Sequence, residues 1–215
     1  MNEAHTRLDL KRLLWNLNVN VADYAHPAWT KHSDNRGDQK GMQSGATHAK
    51  RLIVQYKLTF VSAEQMADAL NRLALLDVRD LHRLARWGAT LAAREDLRLC
   101  VSGNEMRDCI RVMGNRMFDQ GIKFDQRIDW TPFDQLGKQC RTSRLPLRLL
   151  EMQRRLVRAM CDEQAPGSAQ RMRLRFRPGY FDRVVPLDGA RPLLQALLSM
   201  REHAELSERA TCILT

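Results

Sequence analysis

Two short segments of this chain carry the pattern that caps the N-terminus of an α-helix. They are Ser62-Ala63-Glu64-Gln65 and Ser102-Gly103-Asn104-Glu105, and helix-spaced apolar residues follow each of them. In this pattern the serine hydroxyl and the fourth side chain each satisfy a backbone N–H group that has no partner inside the helix. The predicted buried faces comprise Met66, Leu70, Leu73 and Leu76 after the first segment, and Met106, Cys109, Ile110, Met113, Met117 and Phe118 after the second. Both patterns predict a helix that packs against a core.

A third helix is predicted between these two, beginning after Asp77. Its apolar stripe contains the small residues Ala85, Gly88 and Ala92, which would let a neighbouring helix approach closely. Helical signals recur in segments 10–17, 46–60, from Thr131-Pro132, from Pro146 to about 165, and from Pro192 to about 209. The sequence therefore predicts a mainly α fold, organised as a single helical domain.

One segment near the C-terminus has the two-residue period of a β-strand. Met172, Leu174 and Phe176 alternate there with arginines at positions 171, 173, 175 and 177. We therefore predict a short C-terminal β element at about 171–177. Its arginine face has two interpretations, which the sequence leaves open. It is either a charged edge strand that resists aggregation, or a ridge that binds an anion or a protein partner through Arg171, Arg173 and Arg175.

Between residues 31 and 47 the sequence has a long segment without a helical pattern. This stretch is polar and contains Gly37, Gly41 and Gly45, a composition typical of a loop. We therefore predict three parts in the chain. They are an N-terminal aromatic arm over 1–30, a flexible loop over 31–47, and a helical domain over 48–215.

The N-terminal arm concentrates large aromatic residues. Trp15, Tyr24 and Trp29 lie within fifteen residues of a chain that has four tryptophans and three tyrosines. Because a residue before proline disfavours the helical conformation, His26-Pro27 predicts that residues 18–29 are extended or turning. The aromatic side chains either close the core or anchor a protein partner, and the two roles are compatible. The candidate partner-binding residues here are Trp15, Tyr24, His26, Pro27 and Trp29.

The chain is strongly basic, with a formal net charge of +10. A positive balance favours phosphate backbones, anionic lipid or acidic protein surfaces as partners. The arginines, however, are spread through almost every helical segment rather than grouped in one run. Solvated arginine-rich helix faces are the simpler interpretation, and a dedicated nucleic-acid surface is the other.

No motif for catalysis, for a metal or for a cofactor is found in the sequence. Its six histidines lie far apart, and neither H-E-x-x-H nor a phosphate-binding glycine-rich loop occurs. The five cysteines are odd in number and include no C-x-x-C pair, which predicts free and mostly buried thiols. We therefore predict no catalytic residue, no metal site, no cofactor and no small-molecule substrate.

Two sequence features bear on the location of the protein. No run of apolar residues approaches the roughly 18 that a membrane span needs. The N-terminal residues lack the basic-then-apolar layout of a signal peptide. The chain is therefore expected in the cytosol.

The N-terminal motifs resemble those of a known protein family. Trp15-Asn16-Leu17-Asn18 followed by Tyr24-Ala25-His26-Pro27-Ala28-Trp29 is similar to the signature of the cytosolic adaptors of type III secretion systems, the SctK type. The central helices of that family resemble Leu81-x-x-Leu84-Ala85-x-x-Gly88-Ala89 and Ile110-x-x-Met113-Gly114. Its short basic element near the C-terminus resembles Arg171–Pro178. The loop at 31–47 and the strong positive charge depart from the family pattern.

The resemblance implies a specific, non-enzymatic role in bacterial protein transport and virulence. Members of the family are mainly helical adaptors of the injectisome's sorting platform. They link the cytoplasmic domain of the inner-membrane ring protein to the cytosolic pod protein. The implied location is the bacterial cytoplasm, at the cytoplasmic face of the inner membrane and peripheral to it through these proteins.

A different class of function remains as an alternative, a basic helical regulator that binds nucleic acid. It would need a helix-turn-helix with a basic recognition helix, and the candidate turns at Leu75–Asp77 and Ser102–Asn104 each lead into a helix. The helix after Ser102, however, opens with Glu105 and Asp108 beside Arg107 and Arg111, a poor start for a phosphate-facing helix. We therefore expect no specific nucleic-acid partner.

Overall fold

A computed structural model describes residues 3–31, 45–140 and 144–215. Helix makes up 72% of the chain, and the described residues contain no β-strand, so the predicted mainly α class is confirmed. Three short 3₁₀ helices at Gln65–Ala67, Leu73–Leu75 and Arg201–Ala204 accompany the α-helices. The α-helices of the described ranges are α1 Glu3–Val19, α2 Val21–Tyr24, α3 Pro27–Lys31, α4 Gly45–Gln55, α5 Ala69–Arg72, α6 Val78–Ala92, α7 Arg94–Arg98, α8 Gly103–Met113, α9 Asn115–Lys123, α10 Thr131–Gln139, α11 Leu145–Asp162, α12 Pro166–Leu174, α13 Ala190–Ser199 and α14 Glu208–Leu214.

The chain forms two compact units. The first unit comprises Met1–Val78, Cys161–Arg183 and Cys212–Thr215. The second unit comprises Arg79–Met160 and Val184–Thr211. The predicted division into arm, loop and single domain stays a prediction. Most of the predicted loop at 31–47 lies outside the described residues, and α4 already begins at Gly45.

The first capping pattern forms, but its helix is short. The Ser62 amide donates to Gln65 Oε1 at 3.1 Å, and the Gln65 amide donates to Ser62 Oγ at 3.3 Å. The single helix predicted from this pattern is wrong, because Asp68 adopts an extended conformation with ψ of 122° and caps α5 instead. Asn71 stabilises the break, since its buried side chain donates to the carbonyl of Gln65 at 2.7 Å.

The second capping pattern begins a regular helix, as predicted. Ser102 is the N-cap of α8, and its hydroxyl accepts a hydrogen bond from the Glu105 amide. The helix ends earlier than predicted, at Gly114, whose φ of 89° favours glycine because an L side chain rarely adopts it. Met117 and Phe118 consequently lie on α9 and are buried there.

The predicted β element at 171–177 is wrong. Residues 171–174 belong to α12, which begins at Pro166, a proline in the first turn where its missing N–H costs nothing. In this helix Arg171 is buried together with Met172 and Leu174, so the arginines do not share one solvent-facing side. In so short a segment the alternating pattern also fits a helix. Residues 171 and 174 are three apart and residues 172 and 176 are four apart, so each pair shares one side of a helix.

Close helix contacts in the second unit depend on two glycines. A Cβ atom at Gly88 on α6 would lie 2.9 Å from Cδ1 of Leu156 and 3.1 Å from Cδ2 of Leu197. The predicted close approach at this small residue is therefore confirmed. A Cβ atom at Gly121 on α9 would lie only 2.1 Å from Cγ2 of Thr90.

A buried carboxylate organises the C-terminal part of the second unit. Asp80, near the beginning of α6, is 2% exposed. It accepts hydrogen bonds from the Ser207 amide at 3.0 Å and the Ser207 hydroxyl at 2.6 Å. The Ser207 hydroxyl in turn accepts from the Ala210 amide in the first turn of α14. Asp80 therefore fixes the position at which this helix begins.

The thiols agree with the prediction from the sequence. All five cysteines are free; Cys212 is exposed, and the other four are buried. Burial raises the pKa of the Cys161 thiol to about 12, which keeps it in its neutral form.

Across the described ranges, every helix is too short or too polar to cross a membrane.

We expect Gly121→Ala to destabilise the second unit. The added methyl group would collide with the Thr90 methyl, and Thr90 cannot rotate freely because its hydroxyl donates to the carbonyl of Arg86 at 2.9 Å. The expected loss is about 1–3 kcal/mol in the free energy of unfolding, measured by urea denaturation.

Two further variants test this explanation. Gly103→Ala is the control, because nothing lies within 4 Å of its added Cβ atom, and its stability should be unchanged or slightly higher. Thr90→Ser removes only the colliding methyl group and should restore most of the stability lost in Gly121→Ala. Equal effects of Gly121→Ala and Gly103→Ala would contradict the packing described.

Candidate protein interface in the first unit

The aromatic segment folds back onto α12 rather than extending away. The prediction that residues 18–29 are extended or turning holds only at the break between helices, where Ala25 has ψ of 139°. Helices α2 and α3 flank this break, and Pro27 is the first residue of α3. The His26 amide donates to the carbonyl of Leu174 at 2.7 Å, so this turn satisfies a carbonyl group in the last turn of α12.

Trp29 closes the same contact from α3. Its indole Nε1 donates to the carbonyl of Phe176 at 2.6 Å. Its ring meets the edge of Tyr56 in a T-shaped arrangement with centroids 5.2 Å apart. The partly buried ring packs against a small core formed by Val21, Leu52 and Leu174. Trp29 is therefore a structural residue of the first unit.

Tyr24 joins α2 to the end of α1. Its hydroxyl donates to the carbonyl of Leu17 at 2.7 Å, and the guanidinium carbon of Arg175 lies 4.6 Å from its ring centroid. Burial raises the pKa of Tyr24 to about 12, although the positive charges of Arg171 and Arg175 act to lower it. The hydroxyl therefore remains a hydrogen-bond donor at neutral pH.

Arg171 is the most deeply buried charged side chain of this region, with only 2% of its surface exposed. Its Nε donates to the carbonyl of Leu17 at 3.0 Å. Its Nη1 donates to the carbonyl of Gly167 at 3.3 Å and also to the carbonyl of Thr59. Burial lowers the pKa of Arg171 from its usual value, but an arginine side chain keeps its charge. The guanidinium therefore ties α1, the segment after α4 and α12 together.

Asn18 supplies a second connection between α1 and the segment after α4. Its side-chain amide donates to the carbonyl of Val61 at 2.9 Å and accepts from the Val61 amide at 2.9 Å. A side-chain amide here imitates a backbone pairing, and both residues are buried. The hydrogen bonds fix the position of the segment beside the C-terminal end of α1.

The exposed residues next to this connection are apolar. Trp15 is 64% exposed and Val19 is 37% exposed on α1, and they are four residues apart, so they share one side of the helix. Phe60 is 69% exposed and precedes Val61, so it emerges beside the same end of α1. We call Trp15, Val19 and Phe60 the Trp15 surface. Exposed aromatic groups on a rigid base are typical of protein-binding sites.

The structure divides the eight residues predicted from the sequence into two sets. A buried or half-buried contact network contains Tyr24, His26, Trp29, Arg171 and Arg175, the last of which donates to the carbonyl of Ala74 at 2.9 Å. The exposed or peripheral set contains Trp15, Pro27 and Arg173, whose Nη2 lies 2.6 Å from Asp162 Oδ1. Partner binding by any of the eight stays a prediction.

Sequence reasoning missed Phe60 and Val19 as members of a surface. A signal for Val19 was available, because it and Trp15 lie roughly opposite the Leu10–Leu17 stripe at 100° per residue. The sequence gives no comparable signal that Phe60 is exposed, because its pattern predicts that Phe60 lies on the buried face of a helix over 46–60. That helix ends at Gln55, and Phe60 alternates with buried Val61 in irregular backbone.

The second unit contains a cavity of about 500 Å³. His203 lies in its wall, with its ring centroid 5.7 Å from Trp87 and 5.2 Å from Phe124. Its Nε2 lies 3.3 Å from Nε2 of Gln126. Within the part of the chain that the structure describes, no group of three metal-binding side chains occurs. The His203 ring packs in an aromatic cluster with Trp87 and Phe124.

Comparisons with protein-family models, with characterised proteins and with solved structures found no match to this chain.

We expect Tyr24 to ionise well above the usual pH range of a tyrosine. The folded chain favours the neutral hydroxyl, so its stabilising effect is complete below a pH of about 10 and is lost as the pH rises through about 12. At pH 11 a group with this pKa is about 10% ionised, whereas an unperturbed tyrosine is about 90% ionised.

The measurement is the tyrosinate absorbance of the native chain minus that of Tyr24→Phe, which removes one of three tyrosines. Circular dichroism recorded on the same samples verifies that the chain is folded at each pH. A difference signal that is nearly complete at pH 11 in folded protein would contradict the buried position of Tyr24.

Proposed function

We propose that this chain is a non-enzymatic adaptor of a type III secretion sorting platform. In this role it links the cytoplasmic domain of the inner-membrane ring protein to the cytosolic pod protein. The observation that carries the proposal is the Trp15 surface, an exposed apolar surface whose Trp15 belongs to the motif that resembles the family signature. The proposed location is the bacterial cytoplasm, at the cytoplasmic face of the inner membrane.

The roles of the signature residues support the resemblance. His26 and Trp29 each donate a hydrogen bond to a distant backbone carbonyl, and Tyr24 joins α2 to the carbonyl of Leu17 on α1. A motif whose members cooperate in one contact network is a better family signature than a motif of unrelated surface residues. The fold explains why these residue types occur together, and it leaves Trp15 available for a partner.

The Trp15 surface has the properties that a docking site needs. Trp15 and Phe60 offer a large apolar area with few rotatable bonds, so little conformational entropy is lost on binding. The hydrogen bonds between Asn18 and Val61 hold the two elements that carry them. A partner would therefore meet a preformed surface.

The described contacts of the arginines favour an adaptor over a nucleic-acid-binding regulator. Arg171 is buried, and Arg94 is held between Asp134 at 3.0 Å and the Trp130 ring at 3.8 Å. On α8, the candidate recognition helix, Arg111 pairs with Asp108 at 3.0 Å. These guanidinium groups are engaged within the protein, so fewer remain to contact phosphates than the total of 35 lysines and arginines suggests.

We expect Trp15→Ala to weaken assembly without unfolding the chain. Trp15 is 64% exposed, so its removal should change the free energy of unfolding by about 0.5 kcal/mol or less. The loss of an interface tryptophan should weaken partner binding by about thirtyfold or more. The measurements are a thermal melt and co-purification of the ring and pod proteins with the tagged chain from its native bacterium.

Trp29→Ala is the matched variant. It removes the indole hydrogen bond to Phe176 and the contact with Tyr56, so it should lower stability by about 2–4 kcal/mol. Failure of the native chain to co-purify with either secretion protein would refute the adaptor role. Unchanged assembly in Trp15→Ala would refute the Trp15 surface as the docking site. Nanomolar, sequence-dependent DNA binding at physiological salt would favour the regulator instead.

A further inference from the structure

Helix α11 exposes a mixed apolar and basic face in the second unit. Leu147 is 54% exposed and Leu150 is 37% exposed, and they are three residues apart on the same side of the helix. Arg144 and Arg154 are also exposed and lie beyond the two leucines, one at each end. The exposed side of α11 therefore has an apolar centre with a positive charge at each end, and we call it the α11 face.

Two further exposed aliphatic residues lie near the beginning of this face. Leu99 is 76% exposed and Val101 is 92% exposed in the connection between α7 and α8. Both ends of that connection are attached to the first turn of α11. Asp96 pairs with Arg148 at 2.5 Å, and Glu105 Oε1 accepts from the Leu145 amide at 3.3 Å. The connection therefore lies close to the first turn of α11.

The charge of this region is unbalanced. Between residues 144 and 160 the chain has five arginines and one glutamate. That glutamate, Glu151, already pairs with Arg155, and Asp96 in the neighbouring helix pairs with Arg148. With Glu105, which contacts the Leu145 amide, three carboxylates stand against five arginines, so the region keeps a net positive charge that an acidic partner would complement.

We propose that the α11 face binds an acidic amphipathic helix of a partner protein. Apolar side chains of that helix would cover Leu147 and Leu150, while its carboxylates would meet the arginines at the two ends. A second copy of this chain is a poor occupant, because it would place the same arginine-rich helix opposite itself. Interfacial membrane helices carry Trp or Phe on a broad apolar face, whereas the exposed apolar residues here are all aliphatic.

This inference rests on the proposed adaptor role in one respect, which is that the partner of the α11 face is a protein. It adds a second docking surface, separate from the Trp15 surface and of different chemistry. Its test uses the purified full chain and a synthetic peptide. Failure of the peptide experiment can therefore be distinguished from failure to co-purify with secretion proteins.

The probe is a fluorescein-labelled 20-residue helical peptide with leucines at positions i, i+3, i+4 and i+7 and glutamates elsewhere. Fluorescence anisotropy should show saturable binding to the full chain that weakens as salt is added. Leu147→Glu should weaken this binding by about tenfold or more, because it removes apolar contact and repels the peptide. Val54→Glu is the control, since Val54 is 69% exposed on α4 in the first unit, and it should bind like the native chain.

Several outcomes would overturn the proposal. The first is equal binding of a peptide in which lysine replaces every glutamate, and the second is no binding of the acidic peptide. Equal weakening by Leu147→Glu and Val54→Glu would show that the α11 face is not the site. Self-association that Leu147→Glu abolishes would assign the face to a second copy. Binding to phosphatidylserine vesicles that Leu147→Glu abolishes, without peptide binding, would assign it to a membrane.

Discussion

The buried guanidinium group of Arg171 is the constraint on which the first unit depends. A charged side chain that is 2% exposed must find hydrogen-bond partners inside the protein, because burying an unpaired charge is very costly. Arg171 finds them in the carbonyl groups of Leu17, Thr59 and Gly167. Two segments that are distant in sequence therefore have to converge on one position of α12, which supplies the third carbonyl itself.

The carbonyl of Leu17 shows how local and distant constraints combine. Because α1 ends at Val19, Leu17 lies in its last turn, where carbonyl groups lack partners within the helix. Tyr24 and Arg171 both donate to this carbonyl. The end of α1 is thus fixed by one residue that is close in sequence and by another that is more than a hundred residues away. This arrangement holds α1 firmly enough to present Trp15 on its outer side.

Local patterns predicted much of the helical structure, because their physical causes are local. A few neighbouring residues determine the Ser102 cap and the beginning of α11 next to Pro146. The close helix contact at Gly88 depends only on the absence of a side chain there. The β element at 171–177 was predicted wrongly for a related reason. The alternation of Arg171 with Met172 suggested opposite faces, yet both residues are buried in α12.

The sequence could not place the candidate interface, because its geometry depends on long-range partners. Nothing near Asn18 indicates that its amide pairs with Val61, 43 positions away. The same holds for Trp29, which donates to a carbonyl 147 positions away. The sequence marks the aromatic residues as unusual, but only these contacts distinguish Trp29, which is structural, from Trp15, which is exposed to solvent.

The most direct test of this account compares urea denaturation of Arg171→Met with that of Arg173→Met. Methionine keeps much of the apolar stem and removes the guanidinium in both variants. Arg171→Met should lose about 3 kcal/mol or more, because buried carbonyl groups lose a charged donor. Arg173→Met removes only an exposed ion pair with Asp162 and should lose about 1 kcal/mol or less. Equal losses in the two variants would contradict the central role of Arg171.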